Sequence, residues 1–145
     1  MLYLDIETEL VSSNKTKNYM TKKIISTHNA PAAIGPYSQA ILSGNTLYCS
    51  GQIAINPATG NLAIDNITDE TTQVMKNIAA VLKEAKMDFN HVVKCSIFMK
   101  DMSDYATINT VYAQYFGDKP PAREAVQVSF LPKNVNIEIS LIAVK

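Results

Sequence analysis

The chain has 145 residues, 47% of them apolar and 18% charged, and its formal net charge is zero. That length suits one domain with a sizeable core, and the neutral balance argues against the clustered Lys and Arg by which nucleic acid is usually held. No stretch reaches the roughly 18 unbroken apolar residues of a membrane span, and the low charge hints that surface is covered by other copies.

Residues 1–19 differ in kind from the rest. Residues 1–10 mix acidic and apolar side chains, and residues 12–18 are polar and turn-rich. Without a basic start and an apolar centre they are no secretory signal, and with so many acids they are no transit peptide. The expectation is a disordered appendage at 1–19 (a natural extension, a docking arm or a remnant of expression), then one domain at 20–145. A cytoplasmic setting follows, with no organellar targeting. Cys49 and Cys95 lie in strand-like apolar contexts and read as buried free thiols, suited to a reducing compartment, with a disulfide as the alternative.

Residues 22–27 read as a first strand. The segment 29–38 contains two prolines and Gly35, which makes it an ordered loop. Strands at 40–42 and 46–54 flank Ser43-Gly44-Asn45, a compact hairpin connection. In the second of them, alternation puts Leu47, Cys49, Gly51 and Ile53 on one face and Tyr48, Ser50 and Gln52 on the other. Gly51 inside a strand signals a bulge or a close approach. Asn56-Pro57-Ala58-Thr59-Gly60-Asn61 is a turn. Val74, Ile78, Val81, Leu82 and Ala85 recur at helical spacing, which predicts a helix over 68–86 with Thr68 as N-cap and Asp69 and Glu70 at its positive end. A strand at 92–100 follows, then a helix at 103–116 with Tyr105, Ile108, Tyr112 and Tyr115 on one side and Gly117 ending it. Two last strands span 122–128 and 136–144. The order β, ββ, α, β, α, ββ predicts an α+β domain: one mixed sheet with both helices on one face. The other face carries apolar residues such as Ile142 and Val144, and burial between subunits in a closed cyclic assembly would cover it.

Two residues in the last strands invite a chemical reading. Arg123 is the one arginine in the chain. It reads either as a rim residue in a salt bridge, with Glu138 as a possible partner, or as a fork for a carboxylate or phosphate, where arginine is preferred to lysine. Glu138 interrupts an otherwise apolar strand. It reads either as a solvent-facing edge residue or as a carboxylate at a pocket mouth, able to act as a general base toward water. His28 and His91 have no ligand spacing with each other or with the cysteines, which argues against zinc. No phosphate-binding glycine motif occurs. The tyrosines at 105, 112 and 115 read as helix packing, and Tyr37 as a pocket wall or a packed turn residue.

The stretch from Asn29 through Gly35-Pro36-Tyr37-Ser38-Gln39-Ala40, then Ser50-Gly51-Gln52-Ile53, Asn56-Pro57-Ala58-Thr59-Gly60, Val93-Lys94, Ala122-Arg123 and Leu131-Pro132-Lys133 with Ile137-Glu138-Ile139, occur in an order and spacing that resemble the Rid family of reactive-intermediate (enamine/imine) deaminases. The resemblance covers about residues 22–144. It implies a chorismate-mutase-like α+β fold, a homotrimer whose six-stranded sheets line a central barrel, and sites in clefts between neighbouring subunits. It implies hydrolysis of 2-aminoacrylate and 2-aminocrotonate, or their imine tautomers, to 2-keto acids and ammonia, without cofactor or metal. Those intermediates come from pyridoxal-phosphate-dependent dehydratases, which gives a functional link to such enzymes.

Carried onto this chain, the resemblance makes Arg123 the carboxylate clamp, Glu138 the residue that positions or activates water, and Tyr37 a wall of the pocket. Ser50 and Gly51 line the site, Asn109 lies near it, and Ala125 belongs to the substrate-binding set. Ala125 stands where many bacterial members have cysteine, so no thiol switch exists there, and Phe130 replaces the Arg or Ala common before Leu-Pro. Two other functions stay open at this point: a metal-independent endoribonuclease or translation inhibitor, which the charge balance opposes, and a module that binds a small carboxylate ligand without turning it over.

Overall fold

The computed structural model describes residues 21–145, and the appendage expected at 1–19 lies outside them. Six strands, β1 (Lys22–Ile25), β2 (Ala40–Ser43), β3 (Thr46–Gln52), β4 (Val92–Met99), β5 (Ala122–Gln127) and β6 (Ile137–Val144), form one mixed sheet. Their order across it is β1-β2-β3-β6-β4-β5. All neighbours are antiparallel except β4 and β5. Helices α1 (Ile67–Glu84) and α2 (Tyr105–Ala113) cover one face. The predicted single α+β sheet with both helices on one side is the observed architecture.

The core follows from the two periods read in the sequence. Leu47 and Cys49 of β3, Cys95, Ile97 and Met99 of β4, and Ile137, Ile139, Leu141 and Ala143 of β6 turn to the helices and are buried. Val74, Ile78, Val81 and Leu82 of α1 and Ile108 and Tyr112 of α2 meet them. Each Leu, Ile, Val and Met among them adds roughly 1.5–3 kcal/mol of transfer free energy on burial. Cys49 and Cys95 are buried free thiols. Both face Leu141 across the sheet, so β6 stands between them and the disulfide alternative is ruled out.

Helix ends depart from expectation in ways the side chains explain. Asn66, not Thr68, is the N-cap of α1: its Oδ1 accepts from the Asp69 N–H at 2.9 Å, and its amide also donates to the Asp69 carboxylate. At the other end Lys86 takes a left-handed φ of 58°. The N–H of Lys86 then reaches Lys83 O and that of Met87 reaches Leu82 O, so the last carbonyls are satisfied without a glycine. Helix α2 stops at Ala113 rather than Phe116. Gln114, Tyr115 and Phe116 donate to carbonyls three residues back, so the helix tightens before it ends. Gly117 has no positive φ and is not a left-handed cap.

The strand alternation expected for 46–54 breaks at a bulge. Cys49 pairs with Leu141 and Gln52 with Ile139, so β3 uses one residue more than β6 over this interval. The extra residue turns Gln52 onto the helix side, where it is buried, and turns Gly51 onto the open side. Grouping Gly51 with Leu47 and Cys49 is therefore incorrect, whereas the bulge signal in Gly51 is correct. On the open face Ile24, Ile41, Tyr48 and Ile142 form one cross-strand row, and Phe98 and Val126 lie side by side in another. Ile24 is 61% exposed and Tyr48 51% exposed, so the second face is apolar beyond the two residues that suggested it.

Candidate active site

The register of β5 fixes where Arg123 points. It lies opposite Cys95, whose side chain faces the helices, so Arg123 emerges on the helix side of the sheet at its outer edge. There α2 anchors it. Nη1 donates to Asn109 Oδ1 at 2.7 Å and Nη2 to the Tyr105 hydroxyl at 3.1 Å. The guanidinium carbon lies 5.0 Å from the Tyr112 ring centre and 5.7 Å from that of Tyr105, within cation–π range. Residues 105, 109 and 112 stand at helical spacing, so one face of α2 supplies all of these contacts. An open cleft of about 430 Å³ is bounded by Asn109, Tyr112, Phe116, Pro120, Pro121 and Arg123. Among the described residues two of the guanidinium nitrogens have one partner each, which leaves N–H groups to meet a planar anion.

Glu138 lies on the other side of the same sheet. It pairs with Phe98, which pairs with Val126, and these three share the open face. Arg123 is three residues from Val126 and points the opposite way. The salt bridge between Arg123 and Glu138 within one chain, an open alternative in the sequence, is thereby excluded. Glu138 is half-buried and accepts no hydrogen bond from the described residues, and burial alone raises its pKa above the ordinary 4.5.

A second cleft, of about 400 Å³, surrounds that carboxylate. Tyr37, Ser50 and Gly51 line it with Glu138, as the resemblance implies, and Pro31, Ile34, Ile53 and Pro132 add apolar walls. The bulge is what admits Glu138. A Cβ built on Gly51 would overlap its carboxylate oxygen and stand 2.7 Å from Cδ and 3.0 Å from Cγ. Ser50 uses its hydroxyl on Ser38 O at 2.6 Å and its N–H on Gln39 O at 3.0 Å, tying the bulge to the loop that carries Tyr37. The Tyr37 hydroxyl accepts from the Ile34 N–H at 3.3 Å, which curls the loop over the cleft.

Buried amides hold these walls from behind. Gln39 accepts from Thr27 N–H and donates to the carbonyls of Thr27, Ala30 and Pro31. Asn77 of α1 donates to Ile53 O at 3.0 Å and Ile55 O at 2.9 Å, and is itself fixed by Gln73. Sequence reasoning missed Gln39 and Asn77, together with Tyr105 and Tyr112 as partners of the arginine. The available signals were an amide inside the apolar stripe of α1 and Asn109 lying within the tyrosine side of α2.

The other candidates fall away from these clefts. Ala125 shares the face of Arg123 but packs against the core and lines neither cleft. Phe130 is 67% exposed and lines neither. Burial pushes the Cys49 thiol up to about 12 and the Cys95 thiol upward as well, so neither is a ready nucleophile. Glu124 is paired with Lys94 and Ser96 on the open face, and those bonds hold its pKa down. Among the described residues no three His, Cys, Asp or Glu side chains are grouped as metal ligands, and no described helix is long and apolar enough to cross a membrane.

An arginine anchored at a sheet edge and a half-buried carboxylate nested against a strand glycine, each beside an open cleft, make up the candidate site. A family model described as Endoribonuclease L-PSP matches residues 27–145. The chain is 53% identical over 124 residues to a RutC family protein of Pyrococcus horikoshii, covering 86% of this chain and 98% of that one. It is 48% identical over 126 residues to the bovine 2-iminobutanoate/2-iminopropanoate deaminase, covering 87% and 92%. Among solved structures, a Rid family protein of Yersinia pestis superposes with a TM-score of 0.84 at 48% identity, covering 86% and 100%. The E. coli protein TdcF, solved with bound serine, superposes with a TM-score of 0.82 at 40% identity, covering 85% and 98%. The chain belongs to the YjgF/Rid family that this model describes.

The contact between Gly51 and Glu138 is testable. Gly51→Ala should fold at a cost of about 1 kcal/mol, because the glutamate can leave its rotamer to relieve the overlap. A crystal structure of the variant should show Glu138 turned out of the cleft. An unmoved Glu138 in that structure would contradict the close-approach role of the glycine.

Proposed function

We propose that this chain hydrolyses 2-imino and 2-enamino acids, such as the tautomers of 2-aminoacrylate and 2-aminocrotonate, to 2-keto acids and ammonia. It does so as a cytoplasmic homotrimer that clears reactive products of pyridoxal-phosphate-dependent dehydratases. The observation that carries this reading is the placement of Arg123 and Glu138 on opposite faces of one sheet, each beside an open cleft. Two such half-sites serve one small substrate when the edge of one copy meets the open face of the next. The apolar open face supports that packing. Relatives whose names specify 2-iminobutanoate and 2-iminopropanoate support the substrate, and the serine bound to TdcF supports a ligand of that size with a carboxylate.

The chemistry follows from the two groups. Arg123, preset by Asn109 and Tyr105, takes the substrate carboxylate in its fork. The neighbouring C=N carbon is thereby fixed beside Glu138 of the adjoining copy. Glu138, ionised and poorly solvated, removes a proton from water as the water oxygen bonds to that carbon, and passes this proton to the imine nitrogen. The resulting carbinolamine gives up its C–N bond. Glu138 takes the hydroxyl proton and delivers it to the departing nitrogen, which leaves as ammonia with the C–N electron pair, and the carbon keeps oxygen as a carbonyl. The apolar walls from Pro31, Ile34 and Tyr37 hold the short side chain of the substrate.

Adding the protein to a threonine or serine dehydratase reaction should accelerate keto-acid release at the imine-hydrolysis step. Arg123→Lys should lower kcat/KM roughly a hundredfold, since lysine loses the fork and both anchoring bonds. An undiminished rate in that variant would sink the clamp assignment. A base must be ionised to act, and burial raises the pKa of Glu138. Activity should therefore be full above that raised value and fall as pH drops through it, with the midpoint of the acid limb above 4.5. A midpoint at or below 4.5 would contradict the role assigned to burial.

A further inference from the structure

Glu70 is the one carboxylate buried completely among the described residues, with no exposed surface, and no cation pairs with it. It projects from the first turn of α1, and its oxygens meet the root of β6. Oε1 accepts from the Asn136 N–H at 2.6 Å and the Ile137 N–H at 3.3 Å, and Oε2 accepts from Asn136 Nδ2 at 2.7 Å. The next residue is Glu138. Just before this clasp the chain runs through two consecutive non-glycine residues in the left-handed region, Lys133 and Asn134, each with φ 55°. Such strain persists where surrounding contacts over-determine it, and it gathers at functional sites. The same short turn carries Pro132 into the wall of the cleft that holds Glu138.

We propose that Glu70 is a positioning residue for the deamination reaction: its carboxylate clasps Asn136 and Ile137, and so fixes the direction in which Glu138 enters the cleft. This rests on the function proposed above. Three donors converge on a carboxylate, and an ionised acceptor makes shorter and stiffer bonds than a neutral amide. Stiffness matters here because Glu138 has no hydrogen bond of its own. Its aim depends on its backbone and on the glycine beside it. From α1, then, one buried carboxylate sets the tilt of β6 where the chemistry takes place, while the N–H of Lys100, just past β4, holds Asn136 O at 2.9 Å.

The test is a charge-swapped pair. In Glu70→Gln, one oxygen still accepts from the two backbone N–H groups, but Asn136 loses its carboxylate acceptor and its amide must turn over to meet the new nitrogen in a weaker, neutral bond. The expected result is a kcat about ten- to a hundredfold lower, as for a small misplacement of a reacting group. Binding of the product 2-oxobutanoate, which reads the Arg123 fork, should stay within about twofold by calorimetry. In Glu70→Gln with Asn136→Asp the pair again joins an amide to a carboxylate, and kcat should return to within about threefold of wild type. A Glu70→Gln enzyme with wild-type kcat overturns the proposal. So does a loss that the double variant leaves unrescued, or one in which product binding falls in step with kcat. Wild-type protein without imine-hydrolysis activity would instead overturn the proposed function, and this inference with it.

Discussion

Side chains of a β-strand point alternately to opposite faces, and that period is the constraint on which this site depends. Arg123 and Glu138 belong to strands of one sheet, yet the register assigns them opposite sides. No rotamer change brings them together within a chain. Each then sits in an incomplete cleft. The arginine has its orienting partners on α2, and the glutamate has walls but no donor among the described residues. The apolar rows on the open face have the same origin, since those side chains share the parity of Glu138 and find no helix above them. An arginine and a glutamate split by parity and a sheet face in need of cover are two results of one geometric rule.

The buried polar residues make sense in that light. Gln39 holds the loop behind Pro31, Gln52 reaches Ser50 O within the bulge, Asn77 holds Ile53 and Ile55, and Glu70 holds the root of β6. All four sit behind the cleft around Glu138. Burying an amide or a carboxylate is costly unless its hydrogen bonds are made, by roughly 1–3 kcal/mol for each group left unpaired. Each of these makes its bonds to the main chain of a cleft wall. The walls are loops and strand ends outside the regular ladder, and the buried groups supply partners that the ladder would otherwise provide.

Much of the fold was legible because its two periods are strong. The apolar stripe of α1 and the alternation in β4 and β6 each leave one reading, and Gly51 signalled its bulge. The side chains proposed to carry the chemistry were visible as types: a lone arginine, and a glutamate inside an apolar strand. What the sequence could not reveal depends on register. The bulge adds one residue to β3, and that shift moves Gln52 to the core and Gly51 to the open face, a change of side that alternation cannot anticipate. Whether Arg123 and Glu138 face each other is likewise a question of parity across three strands. The roles of Tyr105 and Tyr112 were hidden because a tyrosine on a helix face serves packing and cation–π contact with the same spacing. Asn66 displaced Thr68 as the cap because its side chain reaches the Asp69 N–H, and both residue types fit the pattern.

The claim that one site is built from two copies has a direct measurement in subunit complementation. Arg123→Ala and Glu138→Ala proteins, each inactive alone, would be unfolded, mixed in equal amounts and refolded together, and imine hydrolysis measured. If the arginine of one copy acts with the glutamate of the next, random assembly gives about a quarter of the interfaces both native residues, and about a quarter of wild-type activity should return. If the two residues act within one chain, every chain in the mixture lacks one of them. Activity that stays at the level of the separate variants would contradict the account.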